Sequence, residues 1–148
     1  MVSEDLKGKF PHLAHSPYSI TSPSSPGYNC IAWAAGETDR WWWPPVSGSF
    51  AYYWPPNILL QETLDAFVEA FGVIGFSPCG DPHVEQGYEK IALYVDSRGK
   101  PTHAARQLPD GRWTSKLGSG QDIEHELDGL TGSLYGAVAQ ILKRPITE

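Results

Sequence analysis

The chain has 148 residues, a formal net charge of −6 and eleven basic residues that form no run. That length suits one domain with a proper core, and scattered basic residues on an acidic chain argue against nucleic-acid binding, which needs clustered positive charge. No apolar run approaches the roughly 20 residues that span a bilayer, and the N-terminus lacks the order of a signal peptide, so a cytoplasmic protein with no membrane attachment is the expectation.

Two cysteines, Cys30 and Cys79, are too few for a disulfide framework, and in a reducing compartment both are free thiols. Six Trp, seven Tyr and thirteen Pro point to a loop-rich fold packed by its aromatics.

Residues 1–27 carry Pro11, Pro17, Pro23 and Pro26 without periodicity and read as an irregular lead-in, pinned by Phe10, Leu13, Tyr18 and Ile20. A single domain over 28–148 is expected to follow. In Pro26-Gly27-Tyr28-Asn29-Cys30, Asn29 is a favoured N-cap, so a helix is expected to start at Cys30 and to stop at Gly36. Unpaired N–H groups at such a position favour a thiolate and lower a thiol pKa from its usual value of about 8.5. Cys30 is therefore a candidate nucleophile.

Trp41-Trp42-Trp43-Pro44-Pro45 and Phe50-Ala51-Tyr52-Tyr53-Trp54-Pro55-Pro56 cannot be continuous helix. They read either as a stacking wall for a sugar, peptide or planar ligand, with Trp42, Trp43 and Trp54 as its members, or as a loop with its rings turned into the core. Leu60, Leu64, Phe67, Val68 and Phe71 fall at helical spacing, which predicts a helix over 57–71. A short strand at 73–76 and a turn at 79–83 follow.

The period then becomes two. Residues 90–95, 102–108 and 112–117 read as a three-stranded antiparallel meander, with turns at Asp96-Ser97-Arg98-Gly99 and Pro109-Asp110-Gly111. Beyond Gly118-Ser119-Gly120, helices are expected over 122–130 and 133–143.

A thiolate nucleophile needs a base, and the imidazole of that base needs an orienting group. His103, on a central strand and followed by Ala104 and Ala105, is the preferred base. His12, His15, His83 and His125 are placed less well, the last on a polar stretch beside Glu124 and Glu126. The orienter depends on the hairpin: a three-residue loop puts Ser115 on the face of His103, and a two-residue loop puts Lys116 there. Asp122 and Glu85 are carboxylate alternatives. The backbone N–H of Cys30 is the natural oxyanion donor, with the Asn29 amide as a second if it does not serve as the cap. Cys79 and His83 supply only half of a zinc-type ligand pair, and no phosphate loop is present, so no metal or cofactor is expected.

An early helix tipped by Cys, followed by an antiparallel sheet carrying His, is similar in element order over 28–117 to papain-like cysteine hydrolases, including the NlpC-type and CHAP-type amidases of bacterial cell walls. At finer grain, Tyr28-Asn29-Cys30-Ile31-Ala32-Trp33-Ala34, Lys90-Ile91-Ala92-Leu93-Tyr94, Thr102-His103-Ala104-Ala105-Arg106-Gln107-Leu108, Gly111-Arg112-Trp113-Thr114-Ser115-Lys116-Leu117-Gly118 and Leu134-Tyr135-Gly136 resemble a bacterial family of uncharacterised domains, across most of 28–144. The first resemblance implies an α+β, papain-like fold and a hydrolase that cleaves an amide or peptide through an acyl-enzyme on Cys30. The rival expectation is a binding module of the immunity or inhibitor kind, with a protein partner and with Cys30 as a buried apolar residue.

Overall fold

In a computed structural model, the structure describes residues 10, 18–22, 29–36, 42–43, 53–55, 58, 61–116, 122–132 and 135–146. Among these residues seven strands form one sheet: β1 (Tyr18–Ser22), β2 (Ser77–Cys79), β3 (Tyr88–Val95), β4 (Pro101–Gln107), β5 (Trp113–Lys116), β6 (Asp122–His125) and β7 (Ala137–Pro145). Their order across the sheet is β1-β6-β5-β4-β3-β7-β2, and every pairing is antiparallel. Among the described residues two helices accompany it, α1 (Cys30–Ala35) and α2 (Leu64–Val73), with a 3-10 turn at Leu127–Leu130.

Side chains alternate across the sheet, so each face gathers its own core. On one face Ile91, Leu93, Ala104 and Leu142 meet both helices and the rings of Trp42 and Trp54. On the other, Ala92, Tyr94, Ala105, Trp113, Ile123 and Ile141 meet Phe10 and Leu130. Because β3 is covered on both faces, its residues from Lys90 to Tyr94 are all buried, which is why its sequence reads as an apolar run.

Asn29 caps α1, its side chain accepting from the Ala32 N–H, and Gly36 ends that helix in a left-handed conformation. Thr63 caps α2 in the same way, and Ala66, Phe67, Ala70 and Phe71 form its buried stripe.

The meander is found where the sequence puts it, as β3, β4 and β5. Several other expectations are corrected. The molecule is mostly β, so the α+β, papain-like fold class with helices at the C-terminus does not hold. Residues 122–125 and 137–145 are strands. The middle helix starts at Leu64 and runs to Val73, within a span expected over 57–71; Asn57 and Leu60 lie outside the described residues. Its last turn takes up Val73, which leaves the short strand at 77–79. Of the lead-in, residues 18–22 form the edge strand β1 against β6, and Phe10 is buried; Leu13 lies outside the described residues. Among the described residues no helix is long and apolar enough to cross a membrane.

Candidate functional site

His103 lies on β4 directly across from Tyr94 on β3, just after a register shift that leaves Thr102 as an extra residue. The bulge gives Thr102 a new task. Its hydroxyl donates to the backbone carbonyl of Tyr135, at 2.5 Å, and so ties the 135 loop to β4. That loop is closed by a pair of backbone hydrogen bonds between Gly132 and Gly136. The Tyr135 ring then stacks on the His103 imidazole at 4.1 Å between centroids and 10° between planes, while Tyr94 meets it edge-on at 5.2 Å. Tyr94 is held in turn, its hydroxyl donating to the Leu127 carbonyl at 2.9 Å.

The hairpin after β4 decides the orienter. Leu108 N–H donates to the Arg112 carbonyl across a three-residue loop, and the ladder pairs Arg106 with Thr114 and Gln107 with Trp113. Ser115 therefore shares the face of His103, and its Oγ lies 2.9 Å from His103 Nε2. The same Oγ lies 2.6 Å from His125 Nε2 on β6, and His125 Nδ1 lies 2.7 Å from the Glu126 carbonyl. All three side chains are fully buried. Burial pushes His103 well below the usual imidazole range, helped by the neighbouring His125, and it lowers His125 to about 4. Among the described residues, His103 Nδ1 has no hydrogen-bond partner.

Cys30 approaches from the other face. It is 6% exposed, and burial raises its thiol to about 11. The backbone N–H groups of Ala104, Ile31 and Cys30 at the sulfur, and the charge of Lys116, each offset a little of that. The β4–β5 pairs are Gln107 with Trp113 and Arg106 with Thr114, and Ala104 and Lys116 lie two residues further along their strands, on the face that Cys30 meets. The sulfur thus meets β4 and β5 on one face, and His103 and Ser115 lie on the opposite face of the same two strands. No hydrogen bond joins Cys30 to His103.

The remaining expected site residues are placed as follows. Both ends of the Asn29 amide are engaged: Oδ1 accepts from Ala32 N–H and Trp42 N–H, each at 3.1 Å, and Nδ2 donates to the Trp42 carbonyl at 2.8 Å. Its expected role as an oxyanion donor is corrected to that of a cap and clamp. Asp122 faces the α1 side in register with Lys116, both buried, and so does not orient His103. Glu85 binds Lys143 at 3.0 Å.

The stacking wall is corrected too. Trp42 is 1% and Trp54 8% exposed; Trp42 lies against Tyr53 and Phe71, and Trp54 against Phe67. Trp43 is half-buried, edge-on to Phe67 with its indole N–H on Glu62. These rings pack α2 onto the sheet. A recess of about 550 Å³ lined by Val84, Tyr88, Arg106 and Leu108 reaches neither Cys30 nor His103.

Sequence reasoning missed His125 and Tyr135. The signal for His125 was the alternation in Asp122-Ile123-Glu124-His125: read as a strand, it puts His125 opposite Trp113 on the Ser115 face. Tyr135 carried no such signal, because its place depends on the Thr102 bulge.

Residues 19–143 match the family described as Domain of unknown function (DUF7689). The chain belongs to that family. The matched span of this DUF7689 chain starts within β1 and ends within β7, and it includes Cys30, His103, Ser115 and His125. No curated protein and no solved structure matches the chain. Among the described residues, no three His, Cys, Asp or Glu side chains converge as metal ligands.

Proposed function

We propose that this DUF7689 domain is a cysteine hydrolase acting on an amide or peptide bond, with Cys30 as nucleophile, His103 as general base and Ser115 as its orienter. One observation carries the reading: a fully buried imidazole clamped between two tyrosines, bound through Nε2 to Ser115, with Nδ1 free of any partner, on the strand whose Ala104 N–H reaches the Cys30 sulfur. A buried nitrogen without a partner costs about 1–3 kcal/mol, so a site that keeps one needs a use for it.

The resting thiol calls for such a base. With its pKa near 11, only about one Cys30 in ten thousand is a thiolate at pH 7. Attack therefore couples to proton transfer from sulfur to His103 Nδ1. The sulfur bonds to the carbonyl carbon, the resulting imidazolium returns that proton to the leaving amine, and the C–N bond breaks. Water, deprotonated by His103, then cleaves the thioester. The Cys30 N–H supplies an oxyanion donor. The reading takes the chemistry of cysteine hydrolases and not the papain architecture, and it requires the sulfur and Nδ1, which no hydrogen bond joins at rest, to come within reach when an electrophile, substrate or alkylating reagent alike, enters the site.

A second reading is favoured by the burial of Cys30: a binding module for a protein partner, in which the thiol is only a packing group. Iodoacetamide labelling at pH 7, followed by peptide mass spectrometry, separates the two. The hydrolase predicts labelling of Cys30 in the folded protein that slows at least tenfold in His103→Ala while Cys79 is unchanged. Labelling of Cys30 only after denaturation refutes it and leaves the binding module.

A further inference from the structure

Hydrogen-bonded to Ser115 stands a second buried histidine, His125, that the proposed reaction does not touch. We propose that His125 is a positioning residue, which acts through Ser115 to fix His103 as the Nε2–H tautomer and so keeps Nδ1 as the bare, proton-accepting nitrogen. This deepens the hydrolase reading and rests on it for its catalytic meaning, but the hydrogen-bond logic stands by itself.

The logic runs from the backbone outward. The Glu126 carbonyl can only accept, so the proton at that contact belongs to His125 Nδ1. A neutral imidazole carries one N–H, so His125 Nε2 is an acceptor. The Ser115 hydroxyl must therefore donate its single proton to His125, across 2.6 Å. With that proton committed, Ser115 Oγ can only accept from His103, across 2.9 Å, so the proton of His103 is on Nε2 and its Nδ1 is bare. A serine alone would not achieve this, because a free hydroxyl serves an imidazole nitrogen as donor or acceptor alike. His125 removes the ambiguity. The stacked Tyr135 and edge-on Tyr94 keep the ring from turning over.

The test is long-range 1H–15N NMR of the full chain with 15N-labelled histidine, which reads the tautomer of each ring, in wild type, His125→Ala and His125→Gln. Wild type is expected to show His103 protonated at Nε2 and His125 at Nδ1. His125→Ala frees the Ser115 hydroxyl, and the single-tautomer pattern of His103 is expected to be lost. His125→Gln restores an acceptor at similar reach and is expected to restore the pattern. A wild-type His103 protonated at Nδ1 overturns the proposal, even if neither variant folds, and so does a His103 pattern that His125→Ala leaves unchanged. Cys30 labelling in the same samples reports separately: the expected tautomers with an unreactive Cys30 keep the relay and discard the hydrolase.

Discussion

Asn29 does three things with one side chain: it caps α1, receives the Trp42 N–H and holds the Trp42 carbonyl. Loss of the cap costs about 1 kcal/mol, and each buried Trp42 group left unsatisfied costs about 1–3 kcal/mol. Asn29→Ala is therefore expected to destabilise the fold by roughly 3 kcal/mol or more in urea denaturation, and Asn29→Ser, which keeps the cap alone, by about 1 kcal/mol less. The cap was legible in the sequence because it is a local matter of one residue and the next three. The clamp was not, because its partner is thirteen residues away and nothing in the intervening sequence says where Trp42 returns. The same division holds for the site. Cys30, His103 and Ser115 were readable from helix and hairpin signals, whereas the unpartnered Nδ1 depends on Tyr135, which reaches His103 only through a bulge.

At the scale of elements, β6 and β7 show where sequence patterns mislead. Residues 133–143 contain Ala, Leu, Gln and Lys, good helix formers, with apolar residues at helical intervals. From Ala137 onward this stretch forms a strand nonetheless, because β7 is inserted between β3 and β2 and gains a ladder on each side. Gly136 fixes where β7 begins. Its φ is +81°, and a Cβ there would lie 1.9 Å from the Val95 carbonyl oxygen. Gly136→Ala forces backbone to move on β3 or β7, so a loss of roughly 3 kcal/mol is expected in urea denaturation, accompanied by weaker hydrogen-exchange protection of the Gly132 amide, which donates to the Gly136 carbonyl. An alanine variant as stable as the wild type would contradict that close approach. The meander was legible for the opposite reason: its strands are joined by short turns whose residues declare themselves.

For the molecule as a whole, buried neutral groups define a pH window. His103 and His125 have folded pKa values below the ordinary 6.5, so the unfolded chain binds more protons as pH falls, and stability is lost from about pH 6.5 downward. His125 alone, at about 4, accounts for about 2 kcal/mol between pH 7 and pH 5. Cys30 acts at the other end. Its folded pKa lies above the ordinary value of 9.0, so the stability it contributes is full below pH 9 and is lost on the way to pH 11, by about 2 kcal/mol. Urea midpoints measured from pH 5 to pH 11 should form a plateau between these limits. His125→Gln should flatten the acid limb and Cys30→Ala the alkaline one; limbs unchanged by these substitutions would mean that other groups set the window.

The sheet ends at β2, which is only three residues long and has Pro78 at its centre. An unpaired strand edge is a template on which further chains can stack, and the usual consequence is fibrous aggregation. Pro78 offers an incoming strand no N–H to bind, and three residues give it too short a ladder to persist. The residue that makes β2 a poor strand thus makes it a good terminus, keeping the β-rich chain from recruiting copies of itself along that border.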